Sequence, residues 1–180
     1  MPPIRALSTR VLLTCAAIGV ATGVLGGIAG WLTIVTISVA PIVYGFVLGV
    51  HVIPGIIAQE TLRLPWVALL THLLAALVAS AMAPQWVLRF LGTAVLFGGI
   101  QEAVAALTRY RVWAPWRYFI SAGVIGVLVA VVVAFAAHLS TLPLWAQIAY
   151  LVLAVLGPIA WTAAALGVGR GLRQAGVARR

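Results

Sequence analysis

The chain has 180 residues, of which 64% are hydrophobic and only 7% charged, and its mean hydropathy is +1.20. A soluble domain carries about 25% charged residues, so this composition excludes a water-soluble enzyme or nucleic-acid binder and specifies an all-α integral membrane protein. The net charge of +9 comes from arginine alone, placed at the ends of apolar runs, where positive charge sets membrane topology rather than binding nucleic acid.

A bilayer-crossing helix needs about 20 mainly apolar residues. Breakers and charges divide the chain into six such stretches, approximately 11–33, 42–60, 65–83, 87–110, 116–138 and 144–169, which together predict one six-helix membrane domain. The first follows Arg5 and Arg10 and mimics a signal peptide. The apolar run continues uncharged to His51, whereas a signal's apolar region is about 7–15 residues, so no cleavage is expected. Cys15 is the lone cysteine; it forms no intrachain disulfide and reads as a small core residue. Ala17 and Ala21 form an A-x-x-x-A pair beside a seam of Gly19, Gly23 and Gly27. Small residues four apart let helices approach closely in lipid, either inside the bundle or against a partner subunit. Trp31 lies near the far end of this span, and the Ser/Thr-containing stretch from Thr33 to Tyr44 is expected to form an ordered loop able to cover a pocket.

The second span carries Tyr44, His51 and Pro54-Gly55, a pair that should kink or unwind it. It ends at Glu60, which is expected to form a surface ion pair with Arg63, of little energetic value. The third span carries His72. The fourth carries Gly98, Gln101 and Glu102. His138 closes the fifth as an interfacial residue, and Tyr150 and Trp161 lie in the sixth. Pro41, Pro65, Pro84, Pro115 and Pro143 each stand at or just before a helix start, where a missing N–H does least harm. With both termini in the cytoplasm, Arg5, Arg10, Arg63, Arg109, Arg111, Arg117, Arg170, Arg173, Arg179 and Arg180 all lie inside and only Arg89 outside, as the positive-inside rule requires.

Glu102 is the most informative residue. It precedes Arg109 by seven positions, roughly 10 Å of helix rise. An ionisable group at such depth costs about 2.5–3.5 kcal/mol on insertion scales. A helix partner, a wet cavity or protonation must compensate. Gly98 one turn away leaves that face bare, with room for a ligand or a neighbouring helix. His51 and His72 are intramembrane imidazoles that can hydrogen-bond a ligand or relay a proton; a metal site is poorly supported beside a single nearby carboxylate. Aromatic residues with a few polar groups are what a small-molecule pocket needs, and Trp31, Tyr44 and Gln101 supply them. No catalytic constellation is present and the chain contains no aspartate, so it is not read as an enzyme, and no cofactor is called for.

Three segments carry a family resemblance. The first is Ala40-Pro41-Ile42-Val43-Tyr44 with Gly49 following. The second is Arg63-Leu64-Pro65 leading into Ala68-Leu69-Leu70-Thr71-His72 and Ala75-Ala76-Leu77. The third is Gly98, Glu102-Ala103-Val104 and Thr108-Arg109-Tyr110. They resemble the substrate-binding S component of energy-coupling-factor (ECF) vitamin transporters, in particular the YkoE-type branch associated with thiamine and its hydroxymethylpyrimidine precursor. The resemblance implies a bacterial multi-pass cytoplasmic-membrane protein that captures a vitamin from outside. It implies a coupling transmembrane (T) subunit docked on Ala17 and Ala21, and two separate ATPase subunits. It implies substrate contact from Glu102 and Tyr44, with His72, Gln101, Trp31 and Gly98 in the same region. In that branch acidic residues stand at the positions of Gly45 and His72; their loss here argues against the thiamine cation and for a neutral cargo, such as the pyrimidine alone, or a different vitamin. The rival expectation is a self-sufficient proton-coupled carrier or channel using Glu102 and His72 as relay groups.

Overall fold

The computed structural model describes residues 8–39, 41–136 and 139–177; Arg5, Ala40, His138, Arg179 and Arg180 lie outside them. Seven α-helices follow in chain order: α1 Thr9–Val39, α2 Tyr44–Gly49, α3 Ile53–Leu62, α4 Val67–Met82, α5 Val87–Leu107, α6 Pro115–Ala136 and α7 Leu144–Gln174. No strand occurs among the described residues. Prolines set the punctuation. Pro115 opens α6, Pro143 caps α7, and Pro84 opens the 3-10 turn that leads into α5. Ala83, just before Pro84, sits at φ −137°, ψ 74°, outside the α region that proline disfavours for the residue preceding it. That ends α4.

The predicted irregularity at Pro54-Gly55 is a 3-10 turn, Val50–Val52, joining α2 to α3. Pro54 has no N–H to give the Val50 carbonyl. The Ile53 N–H takes that carbonyl instead, one residue early, which tightens the helix into 3-10 geometry. The expected loop from Thr33 to Tyr44 is not a loop over most of its length: α1 stays helical to Val39. β-branched residues prevail there, but no breaker occurs before Pro41.

Five segments are long and apolar enough to cross a membrane: Thr9–Thr36, Tyr44–Leu62, Pro84–Leu107, Pro115–Val132 and Leu144–Gln174. The sixth rod, α4, is apolar but has 16 residues, about 24 Å of rise against a hydrocarbon core of about 30 Å. Pro65 delays its start and Pro84 enforces its end.

Glycines fix how the rods pair. Gly19, Gly23 and Gly27 of α1 lie on Leu74, Ala75 and Met82 of α4 in parallel register; a Cβ on Gly23 would stand 2.6 Å from the Ala75 carbonyl oxygen. Gly45 and Gly49 lie on Ala154 and Gly157-Pro158 of α7, again in parallel. Gly98 of α5 meets Leu69 of α4 in the antiparallel sense. All the chain's described arginines except Arg89 consequently gather at one end of the bundle, called here the arginine-rich end. One core cluster near that end contains Cys15, Ile56, Val67, Tyr118 and Leu166. A second, toward the far end, contains Tyr44, Leu48, Val52, Phe97 and Tyr150. The perimeter is apolar: Leu88 is 87% and Phe135 80% exposed. In water such surface would cost about 25 cal/mol per Å², whereas acyl chains remove that cost.

Candidate functional site

At the arginine-rich end both carboxylates are buried and committed to the protein. Glu102 Oε1 accepts the Ala68 N–H at 2.8 Å, and Oε2 accepts the Trp66 N–H at 3.0 Å. These are free amides of the first turn of α4, so the carboxylate caps that helix and meets the positive end of its dipole. The Gln59 amide donates to Glu102 at 3.3 Å and accepts from Arg117 Nη2 at 3.2 Å. Arg117 is buried, its guanidinium 4.6 Å from the Trp113 ring centroid and 4.4 Å from that of Tyr118. The Tyr110 hydroxyl lies against Glu102; burial and that negative charge push its pKa from 10 up to about 12. The turn presenting the two amides is held in left-handed backbone at Arg63 (φ 52°) and Trp66 (φ 67°), a conformation costly for a side-chain-bearing residue and stabilised here by the carboxylate it feeds.

Glu60 is not the exposed pair expected from Arg63 alone. It is 3% exposed. Tyr118 donates to its Oε2 at 3.1 Å, Arg173 of α7 pairs with its Oε1, and Arg63 stands 3.6 Å away. The polypeptide returns through α6 and α7 to this carboxylate, which sequence proximity to Arg63 could not reveal.

Midway along the bundle, His72 Nε2 lies 3.0 Å from Gln101 Oε1, and the Gln101 amide donates to the Val52 carbonyl at 3.0 Å. That carbonyl belongs to the 3-10 turn. Gly55 makes the arrangement fit: an added Cβ there would overlap Gln101 Oε1 and stand 2.8 Å from the His72 ring.

Beyond this pair lies a hollow between α1, the 3-10 turn, α4 and α5. Thr22, Gly26, His51, His72, Ala79, Phe90 and Thr93 are among its lining residues. Its cavity volume is about 20 Å³, room for one or two waters. A second hollow, nearer the far end, is lined by Gly30, Thr33, Leu48, His51, Trp86, Arg89, Phe90 and Thr93. His51, Phe90 and Thr93 are common to both, so these three side chains form the partition. The His51 and Phe90 rings are 5.8 Å apart at 53°.

The structure brings His72 and Gln101 together, and His72 reaches the larger hollow. Tyr44 is buried at the far end with the Arg89 guanidinium 5.3 Å from its ring centroid. Gly98 does not border free space: Leu69 fills the face that the sequence leaves bare, 2.9 Å from where a Cβ would stand. Trp31 is 53% exposed on the perimeter and donates its indole N–H to the Met82 carbonyl at 3.2 Å. Ala17 and Ala21 are exposed on α1, while the neighbouring glycine seam is buried against α4. The sequence reading did not place Thr22, Phe90, Thr93 or Arg89 in a pocket. Arg89 alone carried a signal, as the single arginine on the wrong side of the topology count.

Residues 10–128 match the sequence profile of a family described as ABC-type cobalt transport system, permease component. No curated protein matches the chain. A solved structure described as "Crystal structure of an S-component of ECF transporter" shares the fold, with a TM-score of 0.76 over 94% of this chain and 85% of that one, at 18% sequence identity.

Proposed function

The chain belongs to the ABC-type cobalt transport system permease family, and from that premise we propose that it is the substrate-capturing S component of an ECF-type importer. The observation that carries this reading is the paired hollow lined by His51, His72, Phe90 and Thr93. It combines aromatic faces with a few polar groups, as small-molecule sites do. The far end is the outer mouth, the arginine-rich end is cytoplasmic with both termini, and all six rods, α4 included, cross a bacterial cytoplasmic membrane. Rotation of the shared partition residues joins the two hollows and widens them for cargo.

The cargo we propose is a vitamin or vitamin precursor built on an aromatic heterocycle, with hydroxymethylpyrimidine the reference compound. Thiamine is a cation, and no acidic side chain faces the hollow. The two positions where the resembling branch carries acids support this. His72 is taken up by its hydrogen bond to Gln101, and Gly45 packs so closely on Ala154 that a Cβ would stand 2.6 Å from its Cα. Glu102 acts at a distance from the cargo by holding α4, the helix that carries His72. Ala17 and Ala21, exposed on α1, form part of the surface for a coupling T subunit, and two ATPase subunits supply the energy.

The test is equilibrium dialysis of the purified full chain against a vitamin panel that includes hydroxymethylpyrimidine and thiamine, with Co²⁺ as a separate arm. Saturable binding of one vitamin per chain without ATP, and uptake only when T and ATPase subunits are co-expressed, is the expected result. Binding of Co²⁺ in place of every vitamin, or pH-driven uptake by the chain alone in liposomes, would contradict it.

A further inference from the structure

The smaller hollow holds a positive charge that the protein does not neutralise. Arg89, in the first turn of α5, lines it. Its guanidinium lies 5.3 Å from the Tyr44 ring centroid and 5.0 Å from that of Trp86, which fixes the group without satisfying its donors. The sequence contains only two acidic side chains, Glu60 and Glu102. Both are held at the opposite end by their own partners, and Glu102 lies about 20 Å away along α5 by helix rise. No ion pair to Arg89 exists among the described residues.

Two further polar groups at the far end lack partners. Trp86 Nε1 is buried with no hydrogen-bond acceptor, and Trp86 lines the same hollow. The Tyr150 hydroxyl, on a residue only 1% exposed, also has no partner; it belongs to the far-end core with Tyr44 and not to the lining of the hollow. Buried polar groups are almost always paired. A guanidinium and an indole N–H on one hollow are both donors and call for an acceptor. A planar guanidinium matches a carboxylate or phosphate through two parallel hydrogen bonds.

We propose that Arg89 is the anion-binding group of the cargo site, taking a carboxylate or phosphate on the captured molecule while Trp86 Nε1 donates beside it. The inference rests on the S-component reading and departs from its neutral reference compound, since hydroxymethylpyrimidine would have to bind as its phosphate. The anionic group sits at the far end, and the heterocycle lies inward against Phe90 and His51, where the two hollows meet. A cationic cargo would place its charge beside that of Arg89.

Matched pairs of probes test this on the full chain in lipid nanodiscs, read by intrinsic tryptophan fluorescence and by calorimetry. The pairs are nicotinate and nicotinamide, biotin and biotinamide, pantothenate and pantothenol, and hydroxymethylpyrimidine phosphate and hydroxymethylpyrimidine, with thiamine as the cation. The tightest probe should be anionic and bind at least tenfold more tightly than its neutral twin. Arg89→Gln should erase that preference with an unchanged melting temperature in the absence of probe, and Arg89→Lys should restore part of it. Trp86→Phe, which removes only the indole donor, should weaken the anion about threefold and gives a second reading should the arginine variants misfold. A neutral or cationic tightest probe whose affinity ignores both substitutions overturns the anion assignment and leaves the S-component reading standing. Failure of the unaltered protein to bind any probe of either charge overturns both.

Discussion

Glu102 on α5 accepts the backbone N–H of Ala68 at 2.8 Å, so one side chain of the fifth helix supplies the N-terminal cap of the fourth. With the Trp66 amide on its second oxygen, the carboxylate ties α4 and α5 together at the arginine-rich end. The burial cost of the charge is thereby offset by charge-assisted hydrogen bonds and a helix dipole.

Glu102→Gln keeps one acceptor and loses the charge. The expected cost is about 1–2 kcal/mol of stability, seen as a lower melting temperature in detergent. Cargo affinity should stay within about twofold of the unaltered protein. A large loss of affinity at unchanged stability would instead place the carboxylate in contact with the cargo.

Gly55→Ala puts a methyl group onto Gln101 Oε1 and the His72 ring. The hydrogen-bonded Gln101 and His72 side chains must both shift to admit it. Overpacking of this kind costs about 1–3 kcal/mol. Separation of His72 from Gln101 should also weaken cargo binding by at least tenfold. Normal stability together with normal binding would show that the pair is not structurally required.

Tyr110 lies in the loop after α5, outside the membrane-spanning segments, with its pKa raised from 10 to about 12 by burial and by Glu102. Between these values the unfolded chain loses the phenolic proton and the folded chain keeps it. The folded state binds more protons there, so stability falls as pH rises through that window. Tyr110→Phe should flatten the decline in melting temperature between pH 10 and 12. Identical slopes would remove Tyr110 from the account.

The two small-residue seams of α1 make opposite predictions. Gly23→Val collides with the Ala75 backbone and should destabilise the fold. Ala21→Trp points outward and should leave melting temperature and cargo binding unchanged while abolishing uptake in cells that express the coupling and ATPase subunits. Normal uptake by Ala21→Trp would remove this face from the docking surface.

The broad architecture was legible because the bilayer imposes it. Apolar run lengths, the prolines at helix starts and the one-sided arginines each reflect a constraint that acts locally along the chain. The 3-10 turn before Pro54 was legible for the same reason. The site was less so. Glu102 announced that it needed a partner, but the partners are backbone amides of a turn held in left-handed geometry at Trp66, and no residue type encodes an unoccupied N–H. Gly98 marked a bare helix face without saying that Leu69 fills it. Ala17 and Gly19 look alike as small residues, and only the rotation of α1 against α4 separates an outward seam from an inward one. Phe90 and Thr93 join His51 at one hollow through the packing of α5 against the 3-10 turn, a relation between distant segments that local pattern does not carry.

The central claim, that the paired hollow holds the cargo, is tested most directly by filling it. Thr93 lies on the partition shared by both hollows, so Thr93→Trp should occupy the space with little effect on the apolar perimeter. Calorimetric titration of the purified protein with its tightest vitamin should give one site per chain, and the same titration of Thr93→Trp should show affinity reduced at least a hundredfold, at a melting temperature that overpacking lowers but keeps above that of the assay. Binding by Thr93→Trp as tight as that of the unaltered chain would contradict the account.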